Sequence, residues 1–145
     1  MGTKETPPIL TVTDAPDSKA EEVIEEGLAQ YNENNAGYRD SRPLAVLVSD
    51  PDTKAVVGGL MGRTSLGLLF IDLFFLPASL RKQGLGGRIM QEAEAEARRR
   101  GCRKAVVTTI SFQAPEFYER HGYQAFGQID CRPGAARIFL SKSLG

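Results

Sequence analysis

The stretch from Leu68 to Arg100 constrains the fold more than any other part of this chain. It opens with the apolar run LLFIDLFFL, which Pro77 ends, and such a run is typical of a buried strand. A loop with two cations and three glycines, RKQGLGG, follows from Arg81. A helix is then predicted from Gly86 to Arg100, because apolar side chains recur every four residues at Leu85, Ile89, Ala93 and Ala97. Cations in the last turn and Gly101 end this helix.

A strand, a glycine loop and a helix in this order can build an anion site. The first N–H groups of a helix have no partner inside it, and the helix dipole places about half a positive charge there. Glycine allows a ligand to approach the backbone closely. No acidic residue occurs between Leu73 and Met90, so the helix start is free to receive a phosphate, with charge supplied by Arg81, Lys82 and Arg88.

Two common nucleotide motifs fit this loop poorly. A P-loop ends in Gly-Lys-Ser/Thr, and no such ending follows here. The dinucleotide fingerprint G-x-G-x-x-G lacks its third glycine, because Ile89 occupies that position. A nucleotide-binding regulator therefore stays open only as an alternative class of function.

A third pattern fits better. The residues Arg81-x-x-Gly84-x-Gly86 after a strand ending at Pro77 resemble the acyl-CoA pyrophosphate loop of the GNAT superfamily of N-acetyltransferases. About thirty residues later the run APEFYERHGY, from Ala114 to Tyr123, resembles the late family signature Ala-x-x-x-Tyr-x-x-x-Gly-aromatic. The two motifs occur in the family's order, and the resemblance covers roughly residues 43–144.

The resemblance implies that acetyl-CoA is the acetyl donor and that its binding site can be named by residue. The pantetheine arm would pair with the backbone of Phe74, Phe75 and Leu76, between two parallel strands that splay apart. The pyrophosphate would bind the loop residues Arg81, Lys82, Gln83, Gly84, Leu85, Gly86, Gly87 and Arg88. Ser111, where the family often has asparagine, and Ala114 would complete the cofactor site.

Acetyl transfer to an amine needs a base and a general acid. By resemblance, Tyr118 would protonate the departing thiolate, and a tyrosine pKa near 10 suits that role. A core aromatic residue is the alternative. Asp72 is an acid inside an apolar strand, where it needs a partner or a function. Its place resembles a family position that often carries a glutamate, and by that resemblance it would act on the amine through a water. The alternative is an ion pair with Arg63 or another neighbour on the adjacent strand. His121 is predicted to be a surface residue near the end of a short helix.

The acceptor is described least by the sequence. In the family, the loop that carries Tyr38, Arg39 and Arg42 caps the acceptor cleft, and Arg63 could also line it. Arginines suit a carboxylate or phosphate group on the acceptor, although each could be a solvated surface charge. A small-molecule amine is favoured, acetylated directly in a ternary complex. A protein or peptide amine, or a module that binds acyl-CoA without catalysis, is the alternative.

Composition narrows the remaining classes of function. The 145 residues are predicted to form one N-acetyltransferase domain, residues 1–145, and 18 basic residues balance 18 acidic ones. Zero net charge argues against a nucleic-acid partner, and no apolar run is long enough to span a membrane. One histidine and two distant cysteines, Cys102 and Cys131, make a metal site improbable and suggest reduced thiols in the cytoplasm. A homodimer is possible, since dimers are common in the family.

The predicted fold is α+β, a three-layer α/β/α arrangement around a mixed, mostly antiparallel sheet of about seven strands with a central parallel pair. Ile9–Thr13 is predicted as the first strand, followed by a helix with an apolar stripe at Val23, Ile24, Leu28 and Tyr31. A polar loop is predicted over residues 32–42, with a short second helical piece inside it as the alternative. Further strands are predicted at residues 44–49, 55–64, 68–76, 104–110, 123–131 and 136–141, with a turn at Arg132-Pro133-Gly134 and a short helix between Pro115 and Gly122.

Overall fold

The computed structural model describes residues 6–132 and 134–145, and the chain divides into two compact units, Met1–Arg39 and Asp40–Gly145. The first unit contains helix α1, Ser18–Ala36. The Asp17 carboxylate accepts a hydrogen bond from the Ala20 N–H at 2.7 Å and caps its start, and Gly37 ends it in a left-handed conformation. Within this unit the Arg39 guanidinium pairs with Glu26 at 2.9 Å.

Two predictions about the first unit are wrong. Residues 9–13 form no strand, because the alternating residues Ile9 to Thr13 have no neighbouring strand to pair with. The helix continues to Ala36, so the first five residues of the predicted polar loop are helical. No side chain of α1 is buried, including those of the predicted apolar stripe, Val23, Ile24, Leu28 and Tyr31.

The described residues of the second unit form six strands and two α-helices. The strands are β1 Arg42–Ser49, β2 Val56–Ser65, β3 Leu68–Phe75, β4 Lys104–Ile110, β5 Gln124–Cys131 and β6 Ala135–Ser143. The helices are α2 Leu85–Arg99 and α3 Pro115–Arg120, and a short 3-10 turn, Ala78–Leu80, precedes the glycine loop. Pro133 of the predicted last turn lies outside the described residues.

The strands form one mixed sheet in the order β1-β2-β3-β4-β6-β5. Neighbouring strands are antiparallel except β3 and β4, which α2 connects and which are parallel. The predicted mixed sheet with a central parallel pair is therefore confirmed. The count is six strands among the described residues rather than about seven, because the strand predicted at Ile9–Thr13 is not formed.

The main core lies between α2 and one face of the sheet. Leu44, Leu60 and Leu69 from the first three strands are 4% exposed or less, and α2 contributes Ile89, Met90, Ala93 and Ala97. Every predicted apolar position of α2 contributes to this core, with Leu85 half-buried at its edge. Burial of such side chains is the main favourable contribution to folding, about 25 cal/mol per Å² of apolar surface.

A buried carboxylate on α2 binds to side chains of β6 and of the residue just before β5. The Glu94 side chain is only 4% exposed, and it accepts hydrogen bonds from the Tyr123 hydroxyl and the Lys142 ammonium, both at 2.8 Å. A buried charge is tolerated only when it is paired and hydrogen-bonded in this way. In the part of the chain that the structure describes, no helix is both long enough and apolar enough to cross a membrane.

Candidate active site

The loop between β3 and α2 presents unpaired N–H groups in an unbroken row. The Arg81 N–H donates to the Ala78 carbonyl and the Arg88 N–H to the Gly84 carbonyl, each at 3.2 Å. Between them, the six backbone N–H groups from Lys82 to Gly87 have no acceptor within residues 6–132 and 134–145. Helix α2 has no side-chain cap and no acid in its first turn. These N–H groups are therefore available to an anionic ligand.

The backbone of this loop adopts uncommon conformations. Lys82 has φ 64° and Gly84, the N-cap of α2, has φ 77°, so two residues with positive φ lie within three positions. A lysine with positive φ is uncommon, and residues held in such conformations cluster at functional sites.

The two later glycines of the loop serve packing. A Cβ atom at Gly86 would lie 2.9 Å from the Phe117 ring, and one at Gly87 would lie 2.9 Å from the His121 ring. The rings of Phe117 and His121 are tilted by 54° to each other, with their centroids 4.6 Å apart. Both glycines therefore let α3 approach the first turn of α2, and His121, predicted to be a surface residue, is half-buried against Gly87.

An opening in the sheet lies beside this loop. The parallel pairing of β3 with β4 stops at Ile71 and Val107, although β3 continues to Phe75 and β4 continues to Ile110. The backbone edges of these two strand ends face each other without pairing. Such an edge offers an extended ligand a row of N–H and C=O groups. The splayed pair of strands implied by the family resemblance is therefore present.

Tyr118 lies beside this opening, on the sheet face that α2 covers. It is 6% exposed and makes edge-to-face contacts with Phe74, Phe117 and Tyr123, with centroids 5.2–6.5 Å apart. Its hydroxyl has no hydrogen-bond partner among the described residues, which also contain no fully buried polar side-chain atom left unpaired. The hydroxyl oxygen therefore reaches the surface of this otherwise buried side chain. Burial raises the pKa of Tyr118 to about 12, rather than leaving it near 10.

Asp72 lies on the opposite face of the sheet, at a β-bulge. Met61 pairs with Leu73 and Gly62 pairs with Ile71, so Asp72 is the extra residue on β3. Its carboxylate accepts both hydrogen bonds of Arg63 Nη1, at 2.7 and 2.9 Å. The Arg63 guanidinium lies over the Phe70 ring, 4.5 Å from its centroid. The alternative ion pair is thus formed, and both side chains remain about half exposed.

The family model for the GNAT acetyltransferases matches residues 10–123, which is most of the chain. This chain belongs to the GNAT acetyltransferase family. It is 36% identical to an acetyltransferase of Agrobacterium fabrum over 120 residues, 83% of this chain and 87% of that protein. It is 38% identical to the blasticidin-S acetyltransferase of Streptomyces morookaense over 109 residues, 72% of this chain and 80% of that protein.

Solved structures agree with this GNAT assignment. The crystal structure of an Agrobacterium tumefaciens protein assigned as an acetyltransferase has a TM-score of 0.84 and 34% identity, with 94% of this chain and 99% of that chain covered. An aminoglycoside 6'-N-acetyltransferase crystallised with coenzyme A shares the fold at 20% identity, with a TM-score of 0.61 and coverage of 90% of this chain and 82% of that chain.

The predicted cofactor-site residues of this GNAT acetyltransferase lie together around the opening and the loop, but some are already occupied. Arg81 Nε donates to the Leu76 carbonyl at 2.8 Å, and its guanidinium lies 6.0 Å from the centre of the Phe75 ring. Gln83 donates to the Ser79 carbonyl at 3.2 Å. Lys82 and Arg88 are exposed, and neither forms an ion pair with another described residue. These two side chains are the cations most available to a phosphate.

The predicted acceptor residues belong to both units. In the first unit Arg39 is held by Glu26 and Glu33, and Tyr38 is exposed. In the second unit Arg42 pairs with Thr64 across β1 and β2, near the start of β3, whereas Arg63 reaches Asp72 beside the opening. Among residues 6–132 and 134–145, no group of three histidine, cysteine or acidic side chains is placed to hold a metal ion.

The segment between β4 and α3 contains two predicted cofactor-site residues, Ser111 and Ala114, and one residue that was not predicted. Ser111, predicted to contact pantetheine, accepts a hydrogen bond from the Ala136 N–H at 3.0 Å and so is bound to β6. Ala114 is the N-cap of α3. Gln113 was not predicted as a site residue, yet its side chain pairs with the end of β4 beside the opening. Its place depends on the turn that follows β4, for which the sequence shows no motif.

The buried tyrosines make a testable prediction about stability at alkaline pH. Burial raises the pKa of Tyr118 to about 12, and burial together with the Glu94 carboxylate raises the pKa of Tyr123 further. Above about pH 10 the unfolded chain therefore holds fewer protons than the folded chain, and stability falls as pH rises, by up to about 1.4 kcal/mol per pH unit for each tyrosine. We expect Tyr123→Phe to reduce this slope in urea unfolding, and Tyr31→Phe, at an exposed position, to leave it unchanged.

Proposed function

We propose that this protein transfers the acetyl group of acetyl-CoA to a primary amine of a small molecule, in a ternary complex without a covalent enzyme intermediate. The observation that carries the proposal is the row of six unpaired N–H groups, Lys82 to Gly87, beside the opening between β3 and β4. The row suits a pyrophosphate, and the opening suits an extended arm that ends in a thioester. The loop and the opening would therefore bind the pyrophosphate and the thioester arm of the same acetyl-CoA molecule.

The amine would be activated on one face of the sheet, and the departing sulfur would be protonated on the other. Asp72 lies on the face away from α2, and Tyr118 lies on the face that α2 covers. An amine arriving from the Asp72 side would lose a proton to a water held by that carboxylate and form the new C–N bond. The C–S bond would then break on the Tyr118 side, where the hydroxyl would give its proton to the sulfur.

The raised pKa of Tyr118 bears on the timing of this proton transfer. A pKa of about 12 keeps the hydroxyl protonated through the neutral range, which is the form that a general acid needs. It also makes the tyrosinate costly, because the same burial that raises the pKa opposes the charge. We therefore expect the proton to move as the C–S bond breaks, with prompt reprotonation from solvent through the exposed hydroxyl oxygen.

The acceptor class rests on the relatives. The Streptomyces relative is named for blasticidin S, a small molecule, and the coenzyme A complex of the same fold is named for an aminoglycoside. In this chain the Arg63–Asp72 pair on the open sheet face supplies one cation and one anion beside the opening. Such a pair can bind a small polar amine through charge-assisted hydrogen bonds.

Free thiols support a location in the cytoplasm. Cys102 and Cys131 are both unpaired, and burial raises the pKa of the Cys102 thiol. Unpaired cysteines are the usual state in a reducing compartment such as the cytoplasm. This part of the proposal is tested by the distribution of the tagged protein between cell fractions.

The role of Asp72 makes a separate prediction. If its carboxylate assists the amine, Asp72→Asn should lower kcat/KM for the acceptor by about a hundredfold or more, because general bases contribute on this scale, and leave acetyl-CoA affinity unchanged. Arg63→Gln removes the same ion pair but keeps the carboxylate, so its loss should be smaller. Equal losses in both variants would mean that the ion pair, rather than the base, is what matters.

The proposal as a whole is tested by titration and turnover. Isothermal titration with acetyl-CoA should show saturable binding, and ATP and NAD should give no heat under the same conditions. A thiol-release assay over a panel of amines, including blasticidin S and an aminoglycoside, should then find turnover with at least one small molecule. No binding of acetyl-CoA would overturn the proposal. Binding with turnover only on peptide amines would transfer the activity to a protein acceptor.

A further inference from the structure

Arg137 is a cation on the sheet face that also carries Asp72. On β6, Ile138 and Leu140 pack into the core that α2 covers, and Leu140 lies three positions after Arg137. Because side chains alternate along a strand, Arg137 lies on the face opposite Ile138. Asp72 likewise lies on the face opposite the buried side chains of β3. Arg137 and Asp72 therefore share one side of the sheet.

Arg137 also lies at the end of the sheet that contains the opening. The parallel pairing of β3 with β4 stops at Val107, so the remaining residues of β4, up to Ile110, border the opening. Arg137 is the residue of β6 that pairs with Ile110, and it is one strand spacing, about 5 Å, from that border. The long stem of an arginine side chain can span this distance. The guanidinium of Arg137 can thus reach the opening on the Asp72 side.

The guanidinium of Arg137 is not engaged by the described protein. The side chain is exposed, and it forms neither an ion pair nor a side-chain hydrogen bond with another residue in the part of the chain that the structure describes. Arg63, on the same face, is different, because it donates two hydrogen bonds to the Asp72 carboxylate. Arg137 therefore remains available to a ligand.

The strands on either side of Arg137 present apolar side chains rather than acids. Its cross-strand neighbours are Ile110 on β4 and Ile129 on β5. The acid of β5, Asp130, pairs with Ala136 and lies on the opposite face. A guanidinium is weakly hydrated, and apolar neighbours lower the local dielectric constant, which strengthens its attraction for an anion. An anionic ligand here would meet no competing carboxylate on this face of either neighbouring strand.

We propose that Arg137 binds an anionic group of the acceptor, so that the acceptor is a primary amine that also carries a carboxylate or a phosphate. This inference rests on the proposed function, because it takes Asp72 as the group that receives the amine. The register places Asp72 level with Thr108, two strands across and two residues along from Arg137, roughly 12 Å or more between their Cα atoms. Because both side chains extend from the same face, a small molecule is long enough to contact both.

Acceptors that differ only in the anionic group test this assignment. In a thiol-release assay, ω-amino carboxylates and aminoalkyl phosphates of increasing chain length are compared with n-alkylamines of the same length. The unmodified protein should acetylate the best anionic amine with a kcat/KM about ten- to a hundredfold above that of its uncharged counterpart, the range typical of a hydrogen bond to a charged group. Arg137→Gln should remove this preference by raising KM at constant kcat, and Arg137→Lys should restore part of it. Comparison of the two anionic series identifies the anion.

Further measurements distinguish recognition of the acceptor from a structural or cofactor role. The Kd for acetyl-CoA and the Tm should be the same in Arg137→Gln and in the unmodified protein. Lys104→Gln removes another exposed cation from the same sheet face, at the start of β4 and away from the opening, and should keep the preference.

Two results would overturn the inference while acetyl transfer itself stands. One is a lack of preference for anionic amines in the unmodified protein, and the other is an equal loss on anionic and uncharged amines in Arg137→Gln. Failure of the unmodified protein to bind acetyl-CoA, or to acetylate any amine, would instead overturn the proposed function and this inference with it.

Discussion

Tyr118→Phe should lower kcat by about a hundredfold or more and leave the Kd for acetyl-CoA nearly unchanged. General acids contribute on this scale, and the loss of one hydroxyl group removes the acid while leaving the ring in place. The ring contacts with Phe74, Phe117 and Tyr123 do not depend on the hydroxyl. Because that hydroxyl has no described hydrogen-bond partner, folding stability should also change little.

Tyr123→Phe is the matched control for this experiment. It also removes a hydroxyl from a buried tyrosine in the same aromatic cluster, but that hydroxyl donates to Glu94 at 2.8 Å. This variant should therefore lose stability, by about 1–3 kcal/mol for a buried carboxylate left with one partner fewer, and keep its kcat. Comparison of the two variants therefore distinguishes a catalytic role of the hydroxyl from a role in stability. If Tyr118→Phe retained full kcat with an acceptor that wild type acetylates, Tyr118 would be a core residue only.

The central strand, loop and helix could be predicted from the sequence because local and tertiary requirements agree there. The apolar run from Leu68 is a strand buried in the sheet, and the four-residue period of α2 is the face that packs on it. Free N–H groups could also be anticipated, since the loop lacks acids and side-chain caps. The sequence does not predict the separate roles of the three glycines. Gly84 provides a left-handed turn, whereas Gly86 and Gly87 make room for α3.

The wrong predictions concern segments whose sequence pattern is not matched by a neighbouring element of the fold. Alternation at Ile9–Thr13 satisfies the rule for a strand, but a strand also needs a neighbour for its backbone hydrogen bonds. The polar residues after Asn32 suggested a loop, yet Gly37 is the first residue able to end the helix in a left-handed conformation. Periodicity in α1 likewise predicts an apolar stripe without saying what, if anything, covers it.

Sheet register decides the parts of the site that the sequence could not give. Side chains alternate along β3, so Asp72 lies on the face opposite the buried Leu69 and Ile71, which explains how an acid is tolerated inside an apolar run. The bulge at Asp72 then shifts the alternation, so that Phe74 rather than Leu73 packs against the core. Which residues of β4 face the opening depends on pairing with β6, and this pairing places Gln113 there. Burial raises the pKa of Tyr118 through neighbours that come from β3, α3 and the segment after it.

The second large effect is expected at Gly84, the N-cap of α2. Gly84→Asp should weaken acetyl-CoA binding by about a hundredfold while the protein stays folded. A Cβ atom there meets nothing within 4 Å, and aspartate is among the few residues that tolerate the left-handed backbone that Gly84 adopts at φ 77°. That backbone still strains any side chain by about 1–2 kcal/mol, which a carboxylate at the helix start partly offsets through the helix dipole. Apo Tm should therefore fall by a few degrees at most.

The same carboxylate would occupy the N–H groups that a pyrophosphate needs and would repel its charge. At an effective dielectric constant of about 20, two unit charges about 4 Å apart repel each other by about 4 kcal/mol. A hundredfold loss of affinity corresponds to about 2.8 kcal/mol, so this repulsion is large enough to cause it. Gly86 is a poorer position for this test, because a Cβ atom would lie 2.9 Å from the Phe117 ring and disturb packing.

Gly84→Asn is the matched control, since it has the same shape and the same tolerance of left-handed backbone without the charge. Its affinity should fall only a few-fold, and titration calorimetry at two salt concentrations distinguishes the two variants. The loss in Gly84→Asp should shrink at high salt, because screening weakens charge repulsion. Equal affinity in wild type and Gly84→Asp would mean that the phosphates bind elsewhere. The six N–H groups would then need another ligand, and Lys82 and Arg88 would lose their assigned role.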